Sequence, residues 1–323
     1  MTRFAVTRAI EGLIVLLVMS FVVYGLIGLM PGDPIDLMIA SNPKLTSADA
    51  QRLRALYGLD RPILERYLNW LTAALQGDFG YSRAFARPVL ELIGPRLVNT
   101  LVLMVASLTV ALIVGLAAGL YAALHPRSLI DDLIGYLSFI SISTPTFWLA
   151  LLLMMLFSVV LGVLPASGMP VGADTGLGER LRHLILPVAT LSLASAGGYT
   201  RYMRAAMIET LGQDFIRTAR AKGASEMRVV LRHGLRNALI PVITVIALDF
   251  GALFSGALIT ETMFAYPGMG KAIYDAIMAN DFNLALVTLL FATLTTLVGN
   301  FAADLGYAWL DPRISLAAGR AGT

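Results

Sequence analysis

Residues 12–30 pass without one charged side chain, and five further apolar stretches follow at 97–124, 133–164, 184–203, 238–261 and 284–310. A helix needs about 20 predominantly apolar residues to cross the hydrocarbon core of a bilayer, so each stretch is a transmembrane candidate. Composition agrees: 57% of the 323 residues are hydrophobic and 14% are charged, where about a quarter of a soluble domain is charged. The expected fold is an all-α polytopic membrane protein with six transmembrane helices. The third stretch is too long for one upright helix. Pro145, within its STPTFW segment, is expected to kink or tilt it, because proline removes a backbone donor and clashes with the preceding turn.

The first stretch follows Arg3, Arg8 and Glu11 and runs into MPGDP without a small-residue cleavage site. It therefore reads as a retained signal anchor over residues 1–30. Six spans starting inside put both termini in the cytoplasm, with a cytoplasmic tail at 311–323. Residues 31–96 then lie outside, and their eight Lys and Arg do not oppose this, since long loops translocate largely regardless of charge. Within that region SADAQRLRALYGL and RPILERYLNWLTAAL have helical periodicity, Ser47 suits a cap, and GDFGYSR reads as a glycine-bounded turn. The first span is thus followed by a small helical extracytoplasmic insertion.

The loop between the fourth and fifth spans, residues 204–237, is more than a connection. It carries Arg204, Arg217, Arg220, Lys222, Arg228, Arg232 and Arg236 against Glu209, Asp214 and Glu226, an imbalance that marks it as cytoplasmic. Met227, Val230, Leu231, Leu235 and Ala238 recur at helical spacing, while Arg228, Arg232 and Arg236 fall four apart on another face. Gly223 is placed to end one helix in the left-handed conformation, and Ser225 to cap the next. The pattern predicts a helix–turn–helix element with its apolar stripe against the membrane body. Two readings fit that periodicity: a docking element for a partner, or a basic amphipathic helix lying on anionic lipid.

Other chemistry is sparse. With no cysteine, disulfides, cysteine metal sites and thiol catalysis are excluded. His125, His183 and His233 are far apart and split between membrane sides, so no metal site is expected. PGMGK at 267–271 lacks the first glycine and the hydroxyl residue of a phosphate loop, and neither HExxH nor GxSxG occurs. The chain is expected to be no enzyme and to bind no cofactor itself. Gly115 and Gly119 form a GxxxG pair suited to close helix packing. Asp249 and Glu261 are candidates for a translocation path, because intramembrane carboxylates are expensive. A packing hydrogen bond suits Asp249 equally, and Glu261 and Asp304 sit near span ends where structural partners are available.

RTARAKG at 217–223, followed by RHGLRNALIPVIT at 232–244, resembles the cytoplasmic coupling loop of ABC importer permeases of the dipeptide and oligopeptide group. LMPGDP at 29–34, GDFG at 77–80, STPTFW at 143–148, TETMFAYPGMG at 260–270 and DPR at 311–313 are similar to that group's recurrent segments, in the same order from end to end. The wider family's loop begins with EAA, six residues before its glycine. Aligned on Gly223, those positions hold Arg217, Thr218 and Ala219, and a later proline falls on Arg236, departures that the peptide group shares.

The resemblance implies that residues 97–310 form an importer transmembrane domain with a cytoplasmic coupling-helix loop. It also implies a second homologous permease subunit, two cytoplasmic ATPases that bind ATP and Mg, and an extracytoplasmic substrate-binding protein in the bacterial inner membrane. The ATPase contact would then fall on Arg217, Thr218, Ala219, Arg220, Ala221, Lys222, Gly223, Ala224 and Ser225. Met227, Val230, Leu231 and Leu235 would hold the lever to the membrane body. Implied cargo is di- or oligopeptide, with glutathione, nickel chelates or opine-like compounds as alternatives. A proton-coupled secondary transporter is more remote, since the inverted repeats it calls for are not visible.

Overall fold

The computed structural model of the chain describes residues 2–29, 51–52, 60–170, 176–248 and 250–310. Helix α1 (Thr2–Gly28) is followed by α2 (Ile63–Leu75), a short hairpin of β1 (Tyr81–Ser82) and β2 (Arg87–Pro88), and α3 (Val89–Leu124). Next come α4 (Leu129–Ser143), α5 (Thr146–Met154) with a π-helical extension Met155–Val160, and α6 (Leu177–Leu211). The element after α6 consists of α7 (Asp214–Ala221), one turn at Glu226–Arg228 and a π-helical stretch Val229–Leu235 that continues into α8 (Arg236–Leu248). Helices α9 (Phe250–Met263), α10 (Met269–Met278) and α11 (Phe282–Leu310) complete the chain.

Among the described residues, four helices are long and apolar enough to cross a membrane, or five if α4 and α5 with its extension count as one broken span. The expected third span is therefore corrected. It is not one kinked helix but two, bent by 107°. Pro145 enforces the break, since the residue before a proline is pushed out of the helical region; Thr144 is accordingly extended, at φ −86° and ψ 122°. Helix α6, the expected fourth span, is not among the apolar candidates. Several of its polar and small positions are turned into the protein, with Thr190, Ser192, Gly197, Tyr199 and Thr200 all buried.

The α3–α6 contact is the largest in the molecule, and its closeness comes from glycine. A β-carbon on Gly119 would lie 2.5 Å from the Thr200 carbonyl oxygen, and one on Gly115 would lie 3.0 Å from that of Ala196. On the other side of α6, Gly197 meets the Ser138 carbonyl of α4 at the same 2.5 Å. In lipid, where apolar burial does not drive helices together, such proximity is what provides the dispersion contacts.

Outside the spans, α2 folds back on α1. The Ser20 and Tyr67 hydroxyls are 2.6 Å apart, and the Tyr67 ring packs edge-on against Phe21 and Tyr24. The preceding predicted helix and Ser47 fall largely or wholly outside the described residues. GDFGYSR is a turn as expected, with Gly77 and Gly80 at φ 87° and 78°, but it opens into the two-stranded antiparallel hairpin. This small β element corrects the all-α expectation, because two-residue strands leave no readable periodicity. One carboxylate fastens it. The Ser82 hydroxyl and the Ala84 N–H donate to Asp281 at 2.6 and 2.9 Å, while Leu284 N–H at the start of α11 donates to the other oxygen at 3.2 Å.

Gly119→Val forces branched carbons into the α6 backbone, an overpacking that costs about 1–3 kcal/mol. It should lower the melting temperature and monodispersity of the purified protein in detergent. Gly94→Ala, where nothing lies within 4 Å of the new carbon, should leave both unchanged.

Candidate functional site

Helix α7 is short and two-faced. Ile216 is fully buried, whereas Phe215 is exposed, as are Arg217, Thr218, Arg220, Ala221 and Lys222. The helix ends in a Schellman arrangement. Gly223 N–H donates to the Arg220 carbonyl at 2.9 Å and Ala224 N–H to that of Ala219 at 3.2 Å, with Gly223 at φ 77°. The left-handed glycine expected from the sequence is therefore in place. Ser225 differs: its side chain makes no capping bond, and its carbonyl accepts from Val229 N–H at 2.9 Å instead.

The turn is closed by an ion pair. Arg220 spans the glycine with a fork, its Nε and Nη2 donating to the two Glu226 carboxylate oxygens at 2.8 and 3.1 Å. That hydrogen-bonded carboxylate holds the guanidinium above its usual pKa. The exposed geometry is bidentate and planar, which adds directional definition rather than much stability.

The element is seated on α6. Val230 and Leu235 pack against a cluster of Ala123, Met203, Ala206, Met207, Ala238 and Val242. Met227 and Leu231, expected in the same stripe, are 69% and 49% exposed. The physical reason for this correction is the π-helical stretch Val229–Leu235, which inserts a residue into the helical repeat and brings Val229 and Gly234 inward instead. A β-carbon on Gly234 would lie 3.2 Å from Met207 Cε and 3.3 Å from Leu211 Cδ2.

Just before this element, Arg204 at the end of α6 grips Asp131 in the first turn of α4, with its Nε and Nη2 donating at 2.6 and 2.7 Å. Arg127 N–H adds a third bond at 2.9 Å, and Asp131 is 5% exposed. The sequence displayed Asp131 and Asp132 only as acids in a short loop, with no signal for a partner 73 residues away. A cavity of about 990 Å³ beside this pair is lined by residues of α4 and α6, among them Asp132, Tyr136, Phe139, Arg201 and Tyr202.

The path candidates fare differently. Asp249 lies outside the described residues. Glu261 is buried completely and bonded on all sides: it accepts from the Thr100 hydroxyl at 2.5 Å, Gly270 N–H at 2.6 Å and Lys271 N–H at 3.2 Å. Thr100 in turn accepts from Met269 N–H at 2.8 Å. Glu261 therefore staples α9, α3 and the positive N-terminus of α10 together, and presents no surface to a solute. The sequence signal for this role was TETMFAYPGMG itself: Gly268 and Gly270 leave room for the carboxylate, and a side chain on either would collide with it.

A broken, glycine-packed bundle of apolar helices thus carries an exposed helix–turn–helix element. The description "Binding-protein-dependent transport system inner membrane component" matches residues 115–316, and its N-terminal counterpart matches residues 1–104. The chain belongs to that family. The oligopeptide transport system permease protein AppB of Bacillus subtilis (strain 168) is 40% identical over 316 residues, covering 97% of this chain and 99% of AppB. The glutathione transport system permease protein GsiC of Escherichia coli (strain K12) is 37% identical over 314 residues, with the same coverage of each chain. Among solved structures, the inward-facing MetNI methionine ABC transporter superposes with a TM-score of 0.54 at 18% identity, covering 69% of this chain and 97% of that one. This last likeness concerns the fold. The protein is thus a multi-pass inner-membrane permease of an ABC importer rather than an enzyme, and the family implies ATPase and substrate-binding partners.

Gly223→Pro removes the donor to the Arg220 carbonyl and forbids a φ of 77°. ATP-driven uptake should be lost while membrane insertion, followed by fractionation, stays at the level of the unmodified protein. Glu261→Ala leaves three buried donors without an acceptor, at about 1–3 kcal/mol for each, and should give a thermal shift larger than that of Glu261→Gln.

Proposed function

We propose that this chain is one of two homologous permease subunits of a peptide importer, with six spans and both termini in the cytoplasm. Two ATPases, each binding ATP and Mg, grip the coupling elements, and a binding protein delivers peptide from the outer side. The observation that carries this reading is the exposed turn from Arg217 to Ser225, whose backbone is fixed by Gly223 and by the Arg220–Glu226 fork. A surface that projects from the membrane body and is internally braced can transmit force without deforming. ATP binding draws the ATPases together, and the seated lever turns that motion into a change of access.

Peptide cargo is supported by the name of AppB, matched over almost the entire length. The match to GsiC favours a second reading with glutathione, itself a modified tripeptide. Selection between them belongs mainly to the binding protein. The membrane path and Asp249's part in it follow from the same reading, whereas Glu261 serves the path as scaffold.

The test is uptake of labelled di- and oligopeptides, and separately of glutathione, into proteoliposomes carrying the whole complex. Uptake should require ATP and vanish when the ATPase is inactivated; ATP-independent uptake driven by a proton gradient would overturn the assignment. Arg220→Glu combined with Lys222→Glu should reduce ATPase recovered with the tagged permease by about tenfold, equal to about 1.4 kcal/mol of association free energy. Undiminished recovery would move the contact elsewhere on the loop.

A further inference from the structure

The cytoplasmic element is written in two incompatible helical registers. On an α-helix, Met227, Leu231, Gly234 and Ala238 are four, three and four residues apart and form one stripe. Val229, two residues from both Met227 and Leu231, then points to the opposite side. In the structure Gly234 and Ala238 stay buried, but Val229 is fully buried as well, while Met227 and Leu231 are exposed. The two patterns differ by the residue that the π-helical stretch Val229–Leu235 absorbs, since there the repeat is five residues and not four.

We propose that residues 229–235 are a two-register joint that regulates how the coupling element meets its ATPase, an inference that rests on the coupling role assigned above. In the π register, the exposed Met227 and Leu231 side chains are offered to the ATPase. In the α register the same two side chains turn toward α6, and Val229 turns out. Resolving one extra residue rotates everything N-terminal to the joint by about 100° and lengthens the helix by about 1.5 Å.

Three features make the exchange physically accessible. Gly234 is the contact point with α6, and with no side chain it slides past Met207 and Leu211 without a rotamer barrier of its own. Both registers keep the apolar groups Val230 and Ala238 on the inner side, so the seat is never emptied. The π register leaves large apolar surface exposed, which favours a covering partner, whereas the α register withdraws it. A partner that covers Met227 and Leu231 therefore selects one register, and a pull on the lever favours the other. Single π-helical turns inside α-helices occur frequently at functional sites.

The sequence contains no cysteine, so single thiols report without a background. The experiment uses the assembled complex with Val229→Cys, and separately Leu231→Cys, labelled by a hydrophilic maleimide without nucleotide and with ATP trapped by a hydrolysis-deficient ATPase. Thiol reaction follows exposure, so Val229→Cys should label about tenfold faster in the trapped state and Leu231→Cys more slowly. Simple covering by the ATPase would protect both, which separates a register change from a docking change. A Val229→Cys rate equal in the two states, whether low or high, overturns the joint. Failure of the ATPase to co-purify would instead overturn the coupling reading. Deleting Arg232 removes the extra residue and places Val229 and Gly234 four apart on a plain α-helix. That variant should retain the ATPase, keep a thiol at 229 protected in both states, and lose most ATP-driven uptake; uptake at the unmodified rate would count against the proposal.

Discussion

The close approach of α3 and α6 is the constraint on which the other contacts hang. Lipid tails satisfy an apolar surface as well as another helix does, so two spans stay together only where their backbones come near enough for dense van der Waals contact. Gly115 and Gly119 permit this on one side of α6, and Gly197 permits it against α4 on the other. Helix α6 is thereby held between two neighbours. Its C-terminal part carries Arg204, which binds Asp131, and Met203 and Met207, against which Val230 and Leu235 pack. The helix–turn–helix element therefore rests on a helix that is itself packed closely on two sides.

Much of this was legible in the sequence, but unevenly. Long apolar runs give their helices away because lipid imposes one period and one minimum length, and α1, α3 and α11 lie where the runs predicted. Helix α6 was recognisable only approximately, since a helix whose polar positions face other helices loses hydropathy without leaving the membrane body. The turn at Gly223 could be read because a left-handed residue between two amphipathic helices calls for glycine. The stripe after it could not be read correctly. Met227 and Leu231 fit an α-helical repeat, and nothing in residue spacing reveals where a π-helical insertion will shift the register.

Buried carboxylates were the hardest residues to interpret. Glu261 satisfies the rule that acids within spans are functional candidates, yet its oxygens are consumed by Thr100 and the first N–H groups of α10. Its cost is offset by ending a helix in a place where water cannot. Asp131 appeared as one of two acids in a minor loop, and only the fold brings Arg204 to it. For Asp131 the decisive partner is 73 residues away, and periodicity, which reports local geometry, carries no trace of it; for Glu261 the donors Gly270 and Lys271 lie within or beside the same segment, and Thr100 is the distant one.

The fastening of the hairpin by Asp281 has a mechanical corollary. The same side chain holds the hairpin and the first turn of α11, so the two cannot shift independently without breaking the bonds from Ser82 and Ala84. Tyr81 on that hairpin is exposed, and the Phe85 ring is covered on one face by the Arg96 guanidinium at 4.7 Å. Held by Asp281, the hairpin and the start of α11 are one mechanical unit.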